Sequence, residues 1–225
     1  PRRQVHLAVV LDESGGTVME IEGRRKNGEA FPLEACFSKW QGVEGFQYGA
    51  VMRDISARKR EEERVQYLAE HDTLTGLANR NTLYEQLGAK LAEANKGQAK
   101  VALLMLDLDK FKQVNDTHGH ACGDQLLSVV GAALQQVLRS YDTIVRFGGD
   151  EFVCAFPGCH LTEAEERFAE VGKVLSAVIA GASLSVGFAE LQPEDTLKDL
   201  IDRADRQMYD RRATRRNLIA DASLQ

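Results

Sequence analysis

Arg146-Phe147-Gly148-Gly149-Asp150-Glu151-Phe152-Val153 sets two adjacent glycines before two adjacent carboxylates and frames all four with apolar β-formers. Residues 143–147 and 152–156 read as short strands, and the glycine pair supplies the backbone angles that a tight hairpin needs. The acids then sit at the turn. A bare Gly-Gly backbone lets a ligand approach closely, and Asp150 and Glu151 offer the hard oxygen donors that suit magnesium. The same octet also fits an ordinary hairpin carrying solvated acids, and taken alone it does not separate the two readings.

Upstream, Val101-Ala102-Leu103-Leu104-Met105-Leu106 is a continuous apolar run of strand length that ends in Asp107-Leu108-Asp109-Lys110-Phe111-Lys112. It reads as a buried strand delivering charge at its end. Asp107 and Asp109 project to one side if the strand continues, and a divalent cation would relieve their repulsion. Residues 115–124, Asn-Asp-Thr-His-Gly-His-Ala-Cys-Gly-Asp, are rich in turn formers and predict a loop. Leu126, Leu127, Val130, Ala133, Leu134, Val137 and Leu138 then carry the period of an amphipathic helix. Further patterns predict helices over 163–178 and 196–212 with a strand over 183–189 between them. The expected fold class is α+β, a central sheet flanked by helices.

Four blocks now stand in a recognisable order: Asp72-Thr73-Leu74-Thr75-Gly76-Leu77-Ala78-Asn79-Arg80; Asp107 to Lys112 with Asn115-Asp116, Gly119-His120 and Gly123-Asp124; Gly148 to Phe152; and Ala204-Asp205 through Tyr209 to Arg216-Asn217. Together they resemble the GGDEF domain of diguanylate cyclases, placed here at 71–220 with a tail at 221–225. The resemblance implies a nucleotide-cyclase, palm-like sheet and a magnesium-dependent enzyme, manganese being the alternative metal. It implies that two GTP are condensed into cyclic di-GMP, with pyrophosphate released, by a homodimer in which each domain holds one GTP. A catalytically weak domain that binds GTP or cyclic di-GMP as a regulatory module is the alternative.

The resemblance also implies roles. Asp107, the carbonyl of Leu108 and Asp150 would hold the metal, with Glu151 assisting the metal or the ribose 3′-hydroxyl, so that Asp150 and Glu151 are the catalytic acids. Asn115 and Asp124 would read guanine, a carboxylate accepting from its two donors. Gly148 and Gly149 would line the nucleotide, and amides near Phe111 and Lys112, the Lys112 side chain, Arg212 and Arg216 would take the triphosphate. This chain departs from the family where it reads Arg212-Ala213-Thr214-Arg215-Arg216-Asn217: lysine is usual at position 212 and glycine at 215. Arg139-Ser140-Tyr141-Asp142 matches the family's Arg-x-x-Asp inhibitory site, with Arg139 and Asp142 implied to bind product.

Ahead of these blocks, Arg25-Lys26-Asn27-Gly28-Glu29 is a strong hairpin signal between alternating apolar residues, and residues 46–52 read as another strand. With Arg53-Asp54-Ile55-Ser56, residues 1–54 resemble the C-terminal part of a PAS sensory domain. Residues 55–70 are charged, free of glycine and proline, and apolar only along a thin seam. They predict a helix, either a coiled coil suited to a dimer or an exposed linker.

Bulk properties exclude some classes. A formal charge of −6 leaves no broad basic surface, so nucleic acid is not an expected partner. No apolar run reaches membrane-spanning length, no signal peptide is visible, and Cys36, Cys122, Cys154 and Cys159 lack metal spacing; the expectation is a cytoplasmic protein with reduced thiols.

Overall fold

The computed structural model describes residues 18–43, 45–97, 100–178 and 183–222, the side chains at 89, 90, 92–97, 176–178 and 216–222 excepted. The chain divides into two compact units after Tyr67.

In the first unit, β1 (Val18–Arg24), β2 (Ala30–Gly42) and β3 (Gly45–Asp54) form an antiparallel sheet in sequential order. The β1–β2 turn closes where Gly28, at φ 92°, takes a conformation few other residues accept, and its amide donates to Arg25 O. Asp54 Oδ1 accepts the Ser56 amide and so caps the helix that follows, while Arg25 Nη2 donates to Oδ2 at 2.6 Å. Those bonds hold its carboxyl down at about 2, the two from Ser56 contributing most. Helix α1 (Ser56–Glu70) buries none of its residues, and Val65, Tyr67 and Leu68 are all exposed.

The second unit carries β4 (Ala78–Asn79), α2 (Arg80–Gly97), β5 (Val101–Leu108), α3 (Phe111–His118), α4 (His120–Val137), β6 (Thr143–Gly148), β7 (Glu151–Pro157), α5 (Leu161–Val178), β8 (Leu184–Glu190) and α6 (Leu197–Ala222). Its sheet runs in the order β4-β6-β7-β5-β8, with β5 antiparallel to both neighbours. Every residue of β5 is buried, as its unbroken apolar run requires. Alternate residues serve two cores. Leu104, Leu106, Phe152 and Phe156 pack with Leu127, Val130 and Leu134 of α4 and with Val171 of α5. On the opposite face Leu103, Met105, Val145 and Val153 meet Leu83 and Leu87 of α2 and Leu200, Ala204 and Met208 of α6.

Two expectations need correction. Residues 115–124 are not a loop: Asn115 to His118 complete α3, and α4 begins at His120. Gly119, at φ 84°, breaks the helix and donates its amide to Asn115 O, so the turn formers occupy two abutting helix ends. Helix α6 also runs past 212 to Ala222, because nothing between Leu197 and that point is glycine or proline to stop it. Thr196 and Asp199 open this helix by bonding each other's amides.

Glycine 187 lets α6 lie directly on β8. A β-carbon there would fall 2.0 Å from Ala204 O and 2.4 Å from Met208 N, both helix backbone that cannot swing aside. Gly187→Ala is therefore expected to cost about 3 kcal/mol. In a thermal melt that corresponds to a midpoint lowered by roughly 6–12 °C; an unchanged midpoint would mean that the helix is free to shift off the strand.

Candidate active site

The site is built where β5 ends between β7 and β8. Register places Asp107 opposite Glu151 on one side and Ser185 on the other, so all three project toward the α6 face. The β6–β7 connection carries a register shift between Arg146 and Gly148, and Gly149 turns the chain at φ 48°. Asp150 lies in that turn, and its carbonyl accepts the Leu108 amide at 3.3 Å, which ties the turn to the end of β5.

Arginine 146 holds the turn from outside. Its guanidinium donates to Gly149 O at 2.8 and 3.0 Å and to both carboxylate oxygens of Asp72 at 3.0 and 3.1 Å. Burial pushes the Asp72 carboxyl up, but the Thr75 hydroxyl and amide and Arg146 more than offset it and hold it below the usual range. The sequence alone assigns neither Asp72 nor Arg146 a role. A pairing across 74 residues leaves no local signal.

Asp107 is the charged residue of a buried strand. Burial pushes its carboxyl up to about 6; Arg212 opposes that rise, and Asp150, Glu151 and Asp109 add to it. Arg212 Nη1 lies 3.0 Å from Asp107 Oδ1 as an ion pair, yet without hydrogen-bond alignment, so this buried oxygen has no hydrogen-bond partner. The Glu151 carboxyl is also raised, first by burial and then by Asp150 and Asp205, with Arg80 opposing. Arg80 itself rests 4.4 Å from the centre of the Phe147 ring.

The four expected metal ligands do not form a closed shell. Among the described residues no three His, Cys, Asp or Glu side chains converge closely enough to hold a metal by themselves. The donor set still fits magnesium, which takes few protein oxygens and keeps waters, and the buried unsatisfied Oδ1 is a ready acceptor for a cation.

Asp109 does not join Asp107. Ser183 Oγ and Ser185 Oγ donate to it at 2.7 and 2.6 Å, Arg215 Nη1 donates at 3.4 Å, and Arg212 Nε lies at 3.2 Å. Burial pushes its carboxyl up, and these four partners bring it below the usual range. The two serines, Ser183 just before β8 and Ser185 within it, were given no role in the sequence, although alternation alone puts them on one face. Arg212, expected on phosphate, is here on the two aspartates. The Arg216 side chain lies outside the described residues.

Around the loop after β5, Lys110 sits at φ 60° and gives α3 no side-chain cap, so the amides of its first turn, Phe111 and Lys112 among them, stay open. Phe111 also packs on the core. Asn115 Oδ1 is buried without a partner, and a β-carbon on Gly123 would lie 1.9 Å from it. Only glycine leaves that acceptor room. Asp124 is exposed at the start of α4.

Arg139 and Asp142 meet at the α4–β6 junction with opposite orientations. The Asp142 side chain is fully buried, accepting the Arg139 amide at 2.9 Å and Arg167 Nη1 at 3.4 Å. The carboxylate expected to read a ligand is thus engaged by one donor on each oxygen. The Arg139 guanidinium stays exposed and bonds the Tyr141 hydroxyl. A cavity of about 650 Å³ lined by Arg139, Tyr141, His71 and Gln135 lies beside it.

Residues 69–218 match the family model described as diguanylate cyclase, GGDEF domain. The chain belongs to the GGDEF family. It is 35% identical over 155 residues to the probable diguanylate cyclase DgcE of Escherichia coli K12, covering 68% of this chain and 14% of that protein. To the diguanylate cyclase DgcM of the same strain it is 31% identical over 176 residues, covering 76% and 43%. The chain thus spans less than half of either relative. The coiled coil and GGDEF domain of DgcB from Caulobacter crescentus, solved with c-di-GMP, superposes with a TM-score of 0.65 at 31% identity, over 72% of this chain and 88% of that one. No described helix of this GGDEF chain is long and apolar enough to cross a membrane.

A raised carboxyl costs stability wherever it must ionise. Between its usual 3.8 and about 6, folded metal-free protein keeps a proton on Asp107 that the unfolded chain has released, so stability falls as pH rises through that window. Asp107→Asn removes the cost, on the order of 1–2 kcal/mol. In EDTA at about pH 7.5 the variant is expected to melt roughly 3–6 °C above the parent, with the gap closing by about pH 4. A variant that melts lower at both pH values would show that the Arg212 pair outweighs burial.

Asp142→Ala leaves the Arg139 amide without its acceptor and Arg167 with Glu163 alone, and a loss of about 2 kcal/mol is expected in urea unfolding. A loss below about 1 kcal/mol would mean that the buried carboxylate does not hold the junction.

Proposed function

We propose that this chain is a diguanylate cyclase domain that joins two GTP into cyclic di-GMP and releases two pyrophosphates, working as a homodimer with one GTP per domain. The observation that carries the reading is the facing pair Asp107 and Glu151 beside the Gly148-Gly149-Asp150 turn, with an unsatisfied buried oxygen aimed at the site. Asp107, Asp150 and the Leu108 carbonyl would hold magnesium, which when bound neutralises charge on the phosphates and on the attacking and leaving oxygens. The amides of Phe111 and Lys112 and the Lys112 ammonium bind the triphosphate, with the arginines of α6. Asn115 and Asp124 orient guanine, and the Gly148-Gly149 backbone leaves space for the nucleotide to lie close. Glu151, whose carboxyl burial and the neighbouring Asp150 raise, accepts the proton of the ribose 3′-hydroxyl as that oxygen attacks the α-phosphorus of the GTP opposite. The step then repeats in the other direction.

Product feedback belongs at Arg139, whose exposed guanidinium can take a phosphate or the acceptor edge of guanine; Asp142 serves it by fixing the backbone. The N-terminal sheet, with its Asn27-Gly28 hairpin and Asp54-capped exit helix, supports the reading as the closing strands of a PAS domain. Arg212 on Asp107 favours one alternative, nucleotide binding without turnover.

Chromatography of GTP reactions with magnesium tests the assignment. Cyclic di-GMP is expected from the parent chain, rising faster than linearly with protein concentration, and none from Asp150→Ala. Tight GTP binding with no product at any concentration would leave the regulatory reading. With turnover established, Arg139→Ala is expected to raise the inhibitory concentration of cyclic di-GMP about tenfold at unchanged uninhibited rate, the loss of one charge-assisted contact; an unmoved inhibition curve would remove Arg139 from that role.

A further inference from the structure

Arg212 contacts Asp107 and Asp109 at once, and the two aspartates differ in what else they have. Asp109 is secured by two serine hydroxyls and by Arg215. Asp107 has Arg212 as its one cation among the described residues, and the contact lacks hydrogen-bond alignment. Arg215 is exposed along more than half of its side chain and stands where the family usually has glycine. It reaches only the aspartate that the metal does not need.

We infer that Arg212 is a resident counter-ion on the metal-binding aspartate, which a divalent cation must displace. This rests on the reading of Asp107 as a metal ligand. The consequence is coupled loading. A cation arriving alone displaces an arginine that has nowhere better to go, whereas a cation arriving with a triphosphate brings the anion that accepts the guanidinium. Metal and nucleotide therefore help each other bind, by the same factor in both directions. An arginine suits the task better than a lysine, since its planar fork spans two carboxylates and then two phosphate oxygens.

The test is manganese binding without nucleotide, read from the electron paramagnetic resonance of free Mn²⁺, on the parent chain, Arg212→Ala, Arg215→Ala and Asp107→Asn. Arg212→Ala is expected to bind Mn²⁺ about tenfold more tightly than the parent, the size of an ordinary coupling between sites. Arg215→Ala removes the same charge from the same cluster without touching Asp107, and a change of no more than roughly twofold is expected from that screened, longer-range charge. Equal tightening in both variants would reduce the effect to bulk electrostatics, and no tightening in Arg212→Ala would show that the cation does not compete; either overturns the inference. Asp107→Asn separates this from the reading beneath it: if it binds Mn²⁺ as the parent does, the ion sits elsewhere and the assignment of Asp107 as ligand fails first. Circular dichroism of each variant establishes that the fold is kept.

Discussion

A carboxylate at the end of a strand buried along its whole length is the constraint around which this domain is organised. Strand β5 has neighbours on both edges and helices over both faces, so Asp107 cannot turn to water as an edge residue would. Its charge is costly there: an arginine from α6 opposes the cost, while a second acid placed opposite on β7 and an oxygen left without a hydrogen bond add to it. A core built for stability alone would not keep this arrangement. Placing the acid on β5 fixes its position to the precision of two ladders, which a loop could not offer.

The sheet, the hairpin and the buried strand were legible because their signals are local: an apolar run of strand length, a glycine pair between β-formers, and alternation after Gly28. The family blocks located the acids in the same way. What escaped lies across the fold. Asp72 and Arg146 pair over 74 residues, Asp142 is claimed by Arg167 from α5, and Asp109 is claimed by Ser183 and Ser185. Each acid looked free in the sequence, since free and spoken-for carboxylates are written identically. The error at 115–124 has a different cause. Asn, Asp, Thr, His and Gly favour helix ends as much as loops, and only the contact of Gly123 with Asn115 shows that two helices abut there.

Arginine 212 illustrates how composition and geometry can point to different partners for one side chain. By its place on α6 it belongs to a basic face suited to phosphate, and by distance it belongs to two carboxylates. Both statements hold if the guanidinium exchanges one set of anionic oxygens for another. Leaving Asp109 costs little, because Ser183, Ser185 and Arg215 remain on it; Asp107 keeps no other cation among the described residues, so there the guanidinium departs only in exchange for another cation.

The signature turn is held by bonds from a distant part of the same unit, and their order along the chain has a mechanical consequence. The carbonyls of Ala69 and Glu70, at the end of α1, accept from Asn79 and Thr82 at 2.6 Å each. Two residues further on, Asp72 receives the guanidinium of Arg146, which also grips Gly149 O. One residue of chain, His71, and the side chains of Asp72 and Arg146 thus separate the end of α1 from the glycine beside Asp150 and Glu151. Because Arg146 and Asp72 are less than a quarter exposed and doubly bonded, the link is stiff where an exposed pair would slip. A shift of the chain at Asp72 must therefore either break two charge-assisted bonds or carry the Gly149 turn with it.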